Sequence, residues 1–243
     1  MSRLQELYNT IVSKSKKELL NYSLLRQIIR NAGLYMLKMR GQNKRIYGSA
    51  DFYPETDLPH VSTDGIIIQK PDELAAFMLH VSRYRIKSYC EIGVFKSGLA
   101  VIMTAFLNVV NDGLDEAVFL DPKAGPAKDL MFLADHMNVF FDDNSEGLKG
   151  TGFDLCFIDG DHSYEWVKKD WSNIGKFSKI TAFHDILQDG KYNDIFYWRC
   201  DVKKYWQELK KEVGDRSLVL SIAGPPEEFL GIGVIHNDQA SLK

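Results

Sequence analysis

Leu4, Leu7, Tyr8, Ile11 and Val12 recur at the i, i+3, i+4, i+7, i+8 spacing of a helix with one apolar face. A second stripe, Leu25, Ile28, Ala32, Met36 and Met39, extends the helical reading to about residue 40. The SKSKK run between them is a solvated turn or helix face. Such stripes form either core or a contact with a second copy, so a homodimer through these helices is one expectation. From Gly41 to Asp64 the periodicity disappears. Gly48, Pro54 and Pro59 punctuate a polar segment carrying Tyr47, Phe52 and Tyr53, which reads as a loop over a site mouth or as a plain connector. Ile66 to Ile68 predict a short extended piece. Pro71, followed by Asp72 and Glu73, opens a helix predicted to run to about Val81, because proline tolerates the first turn and carboxylates complement its dipole.

Beyond residue 88 short apolar runs alternate with helical stretches. YCEIG, AVFLD, NVFFDDNSE, FDLCFIDGDH and SKITAFHD predict five strands. LAVIMTAFLNVV, residues 126–137, a helix capped by Ser163 and running to about Asn173, and VKKYWQELKKEV predict the intervening helices. SLVLSIAG and FLGIGVIHN close the chain with no long helix between them, which predicts an antiparallel pair at one edge. The expected fold is α/β: a Rossmann-like, seven-stranded, mostly parallel sheet with helices on both faces, the last strand pair antiparallel, and an N-terminal helical extension. Residues 1–64 are read as N-terminal helices with a lid-like loop, and 65–243 as the ligand-binding domain.

Composition narrows the function classes. The chain has 243 residues, 45% hydrophobic, a net charge of −3 and a sequence pI near 6.1. That balance argues against a nucleic-acid partner bound through a basic surface. No apolar run approaches the roughly 20 residues needed to span a bilayer, and no N-terminal leader is evident, so a soluble cytoplasmic protein without a membrane partner is expected. Cys90, Cys156 and Cys200 lack metal-type spacing and read as buried thiols in a reducing compartment. His60, His80, His136 and His236 have no partners in the pattern and are read as structural. Trp166, Trp171 and Trp206 are read as packing residues; Trp198, in DGKYNDIFYWRC, lies where a substrate-specificity segment would fall.

In an open α/β sheet, ligands bind beyond the C-terminal strand ends. Polar residues mark every such end: Glu91, Asp121, Asp143-Asn144-Ser145, Asp159-Gly160-Asp161-His162 and His184-Asp185. The strand–turn–helix through Gly93 and Ser97 offers free backbone N–H groups to a ligand. A dinucleotide would need Gly-x-Gly-x-x-Gly, yet Phe95 holds the second glycine position and Glu91 would repel pyrophosphate. A ligand with a positive sulfonium, an ammonium and a ribose fits better, and S-adenosylmethionine has all three. Asp121 stands where an acidic side chain accepts from ribose hydroxyls.

YCEIGVFKSG, AVFLDPK, FDLCFIDGDHSYEWVKKDW and ITAFHDI together resemble the class I S-adenosylmethionine-dependent methyltransferases. The branch they are most similar to contains the cephalosporin hydroxylase-like proteins and the metal-dependent sugar O-methyltransferases. The resemblance spans about Ile66 to Ile235. It implies that Glu91, Gly93 and Ser97 line the methionine part of the cofactor, that Asp121 holds the ribose, and that Asp143, Asn144 and Ser145 border the adenine, with Asp-Asn-Ser in place of the usual Gly-Asp-Ser. It implies a divalent cation, Mg²⁺ or Mn²⁺, on Asp159, His184 and Asp185, and a general base at His162 or Asp161. The family's ligand pair is often acidic at both positions; His184 departs from that, and imidazole suits Zn²⁺, Fe²⁺ or Mn²⁺ at least as well as Mg²⁺.

The acceptor expected from this resemblance is a hydroxyl of a small molecule, such as a sugar or a natural product. Each assignment has a plain counterpart. Asp159-Gly160-Asp161 also reads as a turn, His162 as a surface histidine held by Asp161, and His184 as a substrate contact. A metal-free methyltransferase, or a non-catalytic domain of the same fold, stands beside the metal-assisted reading.

Overall fold

The structure, a computed structural model, describes residues 2–40, 67, 69–187, 192–193, 198–220 and 231–237. The expected lid-like loop at Gly41–Asp64, the domain boundary at 64, Ile66, Ile68, His60, the side chains of Met36, Met39 and Trp198, and most of the expected specificity segment lie outside the described residues. Three N-terminal helices, α1 (Arg3–Val12), α2 (Lys16–Leu19) and α3 (Tyr22–Arg40), precede α4 (Pro71–Val81). The alternating part then runs β1 (Ser88–Ile92), α5 (Gly98–Val110), β2 (Glu116–Leu120), α6 (Ala124–Leu130), β3 (Asn138–Asp142), β4 (Leu155–Ile158), α7 (Tyr164–Asn173) and β5 (Ile180–Phe183). A two-stranded ribbon, β6 (Tyr192–Asn193) with β7 (Trp198–Arg199), leads into α8 (Val202–Val213), β8 (Ser217–Leu220) and β9 (Ile232–His236).

The sheet order is β3-β2-β1-β4-β5-β9-β8. The first five strands are parallel, and β9 runs antiparallel to both β5 and β8. The fold is therefore the expected Rossmann-like sheet with its antiparallel pair at one edge. The chain leaves β1 in one direction to reach β2 and returns across it to reach β4, so the ligand crevice of such a sheet opens between β1 and β4. One predicted element differs. The helix expected over 126–137 starts earlier, at Ala124, and tightens after Leu130 into a 3₁₀ turn over Met131–Asp135.

The apolar stripes are core. Leu4, Tyr8 and Ile11 are buried against α5, each contributing about 1.5–3 kcal/mol by leaving water. The α1 stripe thus packs within the chain. Ser2 and Gln5 form the reciprocal capping box that starts α1. Tyr22 Oη donates to Asp72 Oδ1 at 2.8 Å and Arg26 Nε to the same oxygen at 2.6 Å, tying α3 to the first turn of α4. Three free cysteines are buried, as expected. Among the described residues no helix is long and apolar enough to cross a membrane.

Two histidines read as partnerless meet where β9 ends beside the start of β5. His80 Nε2 lies 3.1 Å from His236 Nε2, beside the Tyr84 ring. Burial, with the charges of His236 and Arg83, pushes His80 down to about 4, and burial lowers His236 as well. An unfolded histidine titrates near 6.5. A folded value below that means the neutral pair supports the fold above pH ~6.5 and loses that support as pH falls toward 4. Chemical denaturation of the protein and of His80→Gln across this window should show a smaller acid loss for the variant. Equal slopes would refute the linkage.

Candidate functional site

At the C-terminal ends of the parallel strands lies a cavity of about 510 Å³, within the range of pockets that enclose a small ligand. Glu91, Gly93, Asp121, Asp143, Asn144, Asp159, Asp161, His162, His184 and Asp185 all line it. Of the residues singled out in the sequence, Ser97 and Ser145 do not. Ser97 is buried at the start of α5, and Ser145 lies behind the wall, its hydroxyl donating to Asp170 Oδ1 at 2.7 Å. The sequence reading missed Gln69 and Asp170, which also line the cavity. It took Trp166 for packing. Trp166 instead stands at the cavity wall, 38% exposed, with the Lys169 ammonium 4.2 Å from its ring centre.

The β1 turn is set by one close approach. Gly93 has φ 88°, and a Cβ there would lie 2.1 Å from the Asp159 carbonyl oxygen. Its missing side chain therefore lets the β1 and β4 turns cross. Asp159 N–H donates to Ile92 O at 2.8 Å across the same junction. Phe95 (φ 51°) and Ser97 (φ 66°) hold left-handed conformations without being glycine, and so does Asp185 (φ 60°) after β5. Such strain concentrates at sites that need fixed geometry. Phe95 fills the second position of a dinucleotide turn, and its ring, 37% exposed, stands at the cavity where a pyrophosphate would approach. Asp121 Oδ2 accepts from the N–H groups of Val94 (3.2 Å) and Phe95 (2.9 Å), and Oδ1 from Lys123 N–H (2.8 Å). The carboxylate braces the turn with lone pairs to spare for a ribose.

Glu91 sits mid-sheet, fully buried between Phe119 and Phe157 in register. Tyr89 Oη donates to its Oε2 at 2.5 Å, while Oε1 has no partner among the described residues. Burial pushes its pKa well above the usual carboxylate range; the tyrosine bond opposes this, and the charges of Asp159 and Asp121 add to it. A cation beside Oε1 would reverse that penalty.

On the other side of the crevice two carboxylates and two imidazoles interlock. His162 Nε2 is 2.8 Å from Asp185 Oδ2 and 3.5 Å from Asp159 Oδ1. His184 Nδ1 is 3.2 Å from Asp159 Oδ1 and 3.3 Å from Asp185 Oδ1. Burial would depress both imidazoles, but the carboxylates prevail: His162 rises to about 10 and His184 well above its ordinary value. Asp159 and Asp185 are held low against their own burial, chiefly by the His184 charge. Ligand atoms of Asp159, His162 and Asp185 lie within 4.8 Å of one another. This oxygen-and-nitrogen set fits a divalent ion. The expected ligand His184 faces the same two carboxylates, so both rings compete for one place. Ser163 takes the N-cap position of α7 without the expected side-chain cap; its N–H donates to Asp161 Oδ1 at 2.8 Å.

No model of a known protein family matches the chain, and no curated protein matches it. Solved structures similar to it include the O-methyltransferase TomG of Streptomyces achromogenes, involved in tomaymycin synthesis, in complex with S-adenosylmethionine. It is 15% identical over 83% of this chain and 95% of that one, with a TM-score of 0.49. An O-methyltransferase of Bacillus cereus in complex with S-adenosylhomocysteine is 16% identical over 82% and 90%, TM-score 0.48. An S-adenosylmethionine-dependent O-methyltransferase of Thermotoga maritima is 15% identical over 72% and 67%, TM-score 0.46.

Proposed function

We propose that this protein is an S-adenosylmethionine-dependent methyltransferase acting on a hydroxyl of a small molecule, a sugar or a natural product, in the cytoplasm. The observation that carries the reading is the set of buried polar atoms without partners around one carboxylate-lined cavity. Among the described residues these are Gln69 Oε1, Glu73 Oε1, Glu91 Oε1, Ser97 Oγ and His184 Nε2, and Gln69, Glu91 and His184 line the cavity itself. Buried polar groups are almost always paired, so such a cluster marks where a ligand completes the bonding. A phosphate would meet Glu91, Asp121, Asp143, Asp159 and Asp161. An ammonium suits Glu91 Oε1. The N-terminus of α5, where Ser97 makes no side-chain cap bond and Leu99 lines the cavity, suits an amino-acid carboxylate. Asp121 suits a ribose. S-adenosylmethionine carries all three groups and no phosphate.

The sulfonium already activates the methyl, so the protein's task is alignment and removal of one proton, alignment being worth up to about 7–11 kcal/mol in favourable cases. Asp159 and Asp185, with an imidazole, would hold a divalent cation, which when bound lowers the pKa of an acceptor hydroxyl. His162, with a side chain 15% exposed, is the base in this reading. Its proton is held to about pH 10 by the two carboxylates. At neutral pH it gives that proton to solvent, and so becomes able to take one from the acceptor hydroxyl, only once Asp159 and Asp185 are engaged by a different positive charge. A metal-free reading rests on the same observation seen differently: protonated His162 and His184 already balance the two carboxylates, leaving Asp161 as base.

Calorimetric titration of metal-stripped protein with S-adenosylhomocysteine, with and without Mn²⁺, tests the proposal. One-to-one binding is expected, and absence of binding in both conditions would overturn it. Loss of Mn²⁺ binding in Asp159→Ala supports the metal-assisted form; a protein that takes up no Mn²⁺ leaves the metal-free one.

A further inference from the structure

Gln69 enters the site from a part of the chain that carries no strand. It precedes α4, whose first turn is pinned to the N-terminal helices through Asp72, and it is 6% exposed. Its Nε2 donates to Asp159 Oδ2 at 2.5 Å. The amide orientation follows from chemistry. Asp159 Oδ2 accepts this bond, and of the two amide atoms of Gln69 only the nitrogen carries hydrogens to donate, so the nitrogen faces the carboxylate. The carbonyl oxygen therefore points away from Asp159. It is buried and has no partner among the described residues, although Gln69 lines the cavity.

Glu91 presents the same deficiency from the neighbouring strand. Its Oε1 is a buried acceptor without a donor in the same cavity. Asp159 stands between the two: its side chain holds Gln69, and its N–H bonds to Ile92 O, next to Glu91. Two buried oxygens, one of a carboxyl and one of an amide, thus belong to side chains that line the same cavity. A hydroxyl brings a single hydrogen and satisfies only one of them. A primary ammonium brings three, and its charge offsets the buried Glu91 carboxylate.

We infer that Gln69 Oε1 and Glu91 Oε1 form a two-acceptor cradle for a primary ammonium group. Resting on the methyltransferase reading, that group is the amino-acid ammonium of S-adenosylmethionine. Gln69 then joins cofactor recognition to the Asp159–Asp185 cluster through one side chain.

Calorimetry on the full chain with two probes tests this: S-adenosylhomocysteine, which carries the ammonium, and 5′-methylthioadenosine, which lacks the amino-acid portion. Gln69→Met removes both hydrogen-bonding atoms at similar length. Gln69→Glu keeps an acceptor and gives up the amide donor to Asp159. We expect Gln69→Met to weaken S-adenosylhomocysteine about tenfold or more, the scale of a bond to a charged group, with 5′-methylthioadenosine changed by less than about twofold. Gln69→Glu should bind S-adenosylhomocysteine more tightly than Gln69→Met does. Circular dichroism melts of both variants establish that they fold.

Unchanged S-adenosylhomocysteine affinity in Gln69→Met would overturn the cradle, as would equal weakening of both probes. So would a Gln69→Glu variant as impaired as Gln69→Met, which would make Gln69 a positioning residue for Asp159 alone. Failure of the unaltered protein to bind S-adenosylhomocysteine would instead overturn the methyltransferase reading, and this inference with it.

Discussion

Gly93→Ala is expected to abolish S-adenosylhomocysteine binding and to lower stability by about 2–5 kcal/mol. A left-handed backbone costs a non-glycine residue about 1–2 kcal/mol, and forcing atoms into filled space costs about 1–3 more. Here the added Cβ would lie 2.1 Å from Asp159 O and 2.5 Å from Gly160 Cα, both backbone atoms with no rotamer in which to escape. The β1 and β4 turns must part, carrying Glu91 away from Asp159. Gly150→Ala is the control: φ is 87° but nothing lies within 4 Å, so only the backbone term applies. Urea unfolding of the two variants, with calorimetry, separates strain from collision. Equal losses at both positions would refute the close-approach argument.

Asp185→Asn should lower methyl transfer by about a hundredfold or more, at least the scale of losing an outer partner of a metal ligand, because it removes one of the two carboxylates proposed to hold the cation. The substitution keeps the shape and suits the left-handed φ of 60° after β5, since asparagine visits that region more readily than most residues. What it removes is charge. His162, held at about 10 by Asp159 and Asp185, should fall toward the ordinary histidine value of about 6.5. Histidine resonances followed by NMR between pH 5 and 11 would report the shift directly. The sign is fixed by linkage: a raised folded pKa means the ion pairs support the fold fully below about 6.5, and that support is lost as pH climbs through about 10. The variant should therefore lose stability at neutral pH and show a flatter alkaline limb. An unmoved His162 titration would show that Asp185 is not its partner in solution.

Much of this architecture was legible because its signals are local. A strand ending in Glu91, a turn at Gly93 and an apolar helix behind it lie within one span of sequence. So do the apolar runs whose ends carry Asp121, Asp159 and Asp185. Once such runs alternate with helices, few topologies remain, and the C-terminal ends of β1 to β5 all face the same edge. Ten of the residues named from sequence fall on one cavity for that reason. Elsewhere local signals misled. Ser163 does take the N-cap position, its carbonyl accepting from Val167 N–H, but its hydroxyl makes no cap bond.

By itself the sequence determined the sheet, its polarity and the acidic edge, because hydrophobic period and turn chemistry act over a few residues. Tertiary structure decided which side chains meet. Gln69 touches Asp159 across 90 residues of chain, and Ser145 turns away from the cavity to bond Asp170. Both imidazoles converge on the same two carboxylates, so spacing could not assign one as ligand and the other as base. The unpaired acceptors at Gln69 and Glu91 belong to no motif. They arise only where folding buries the two side chains at one cavity.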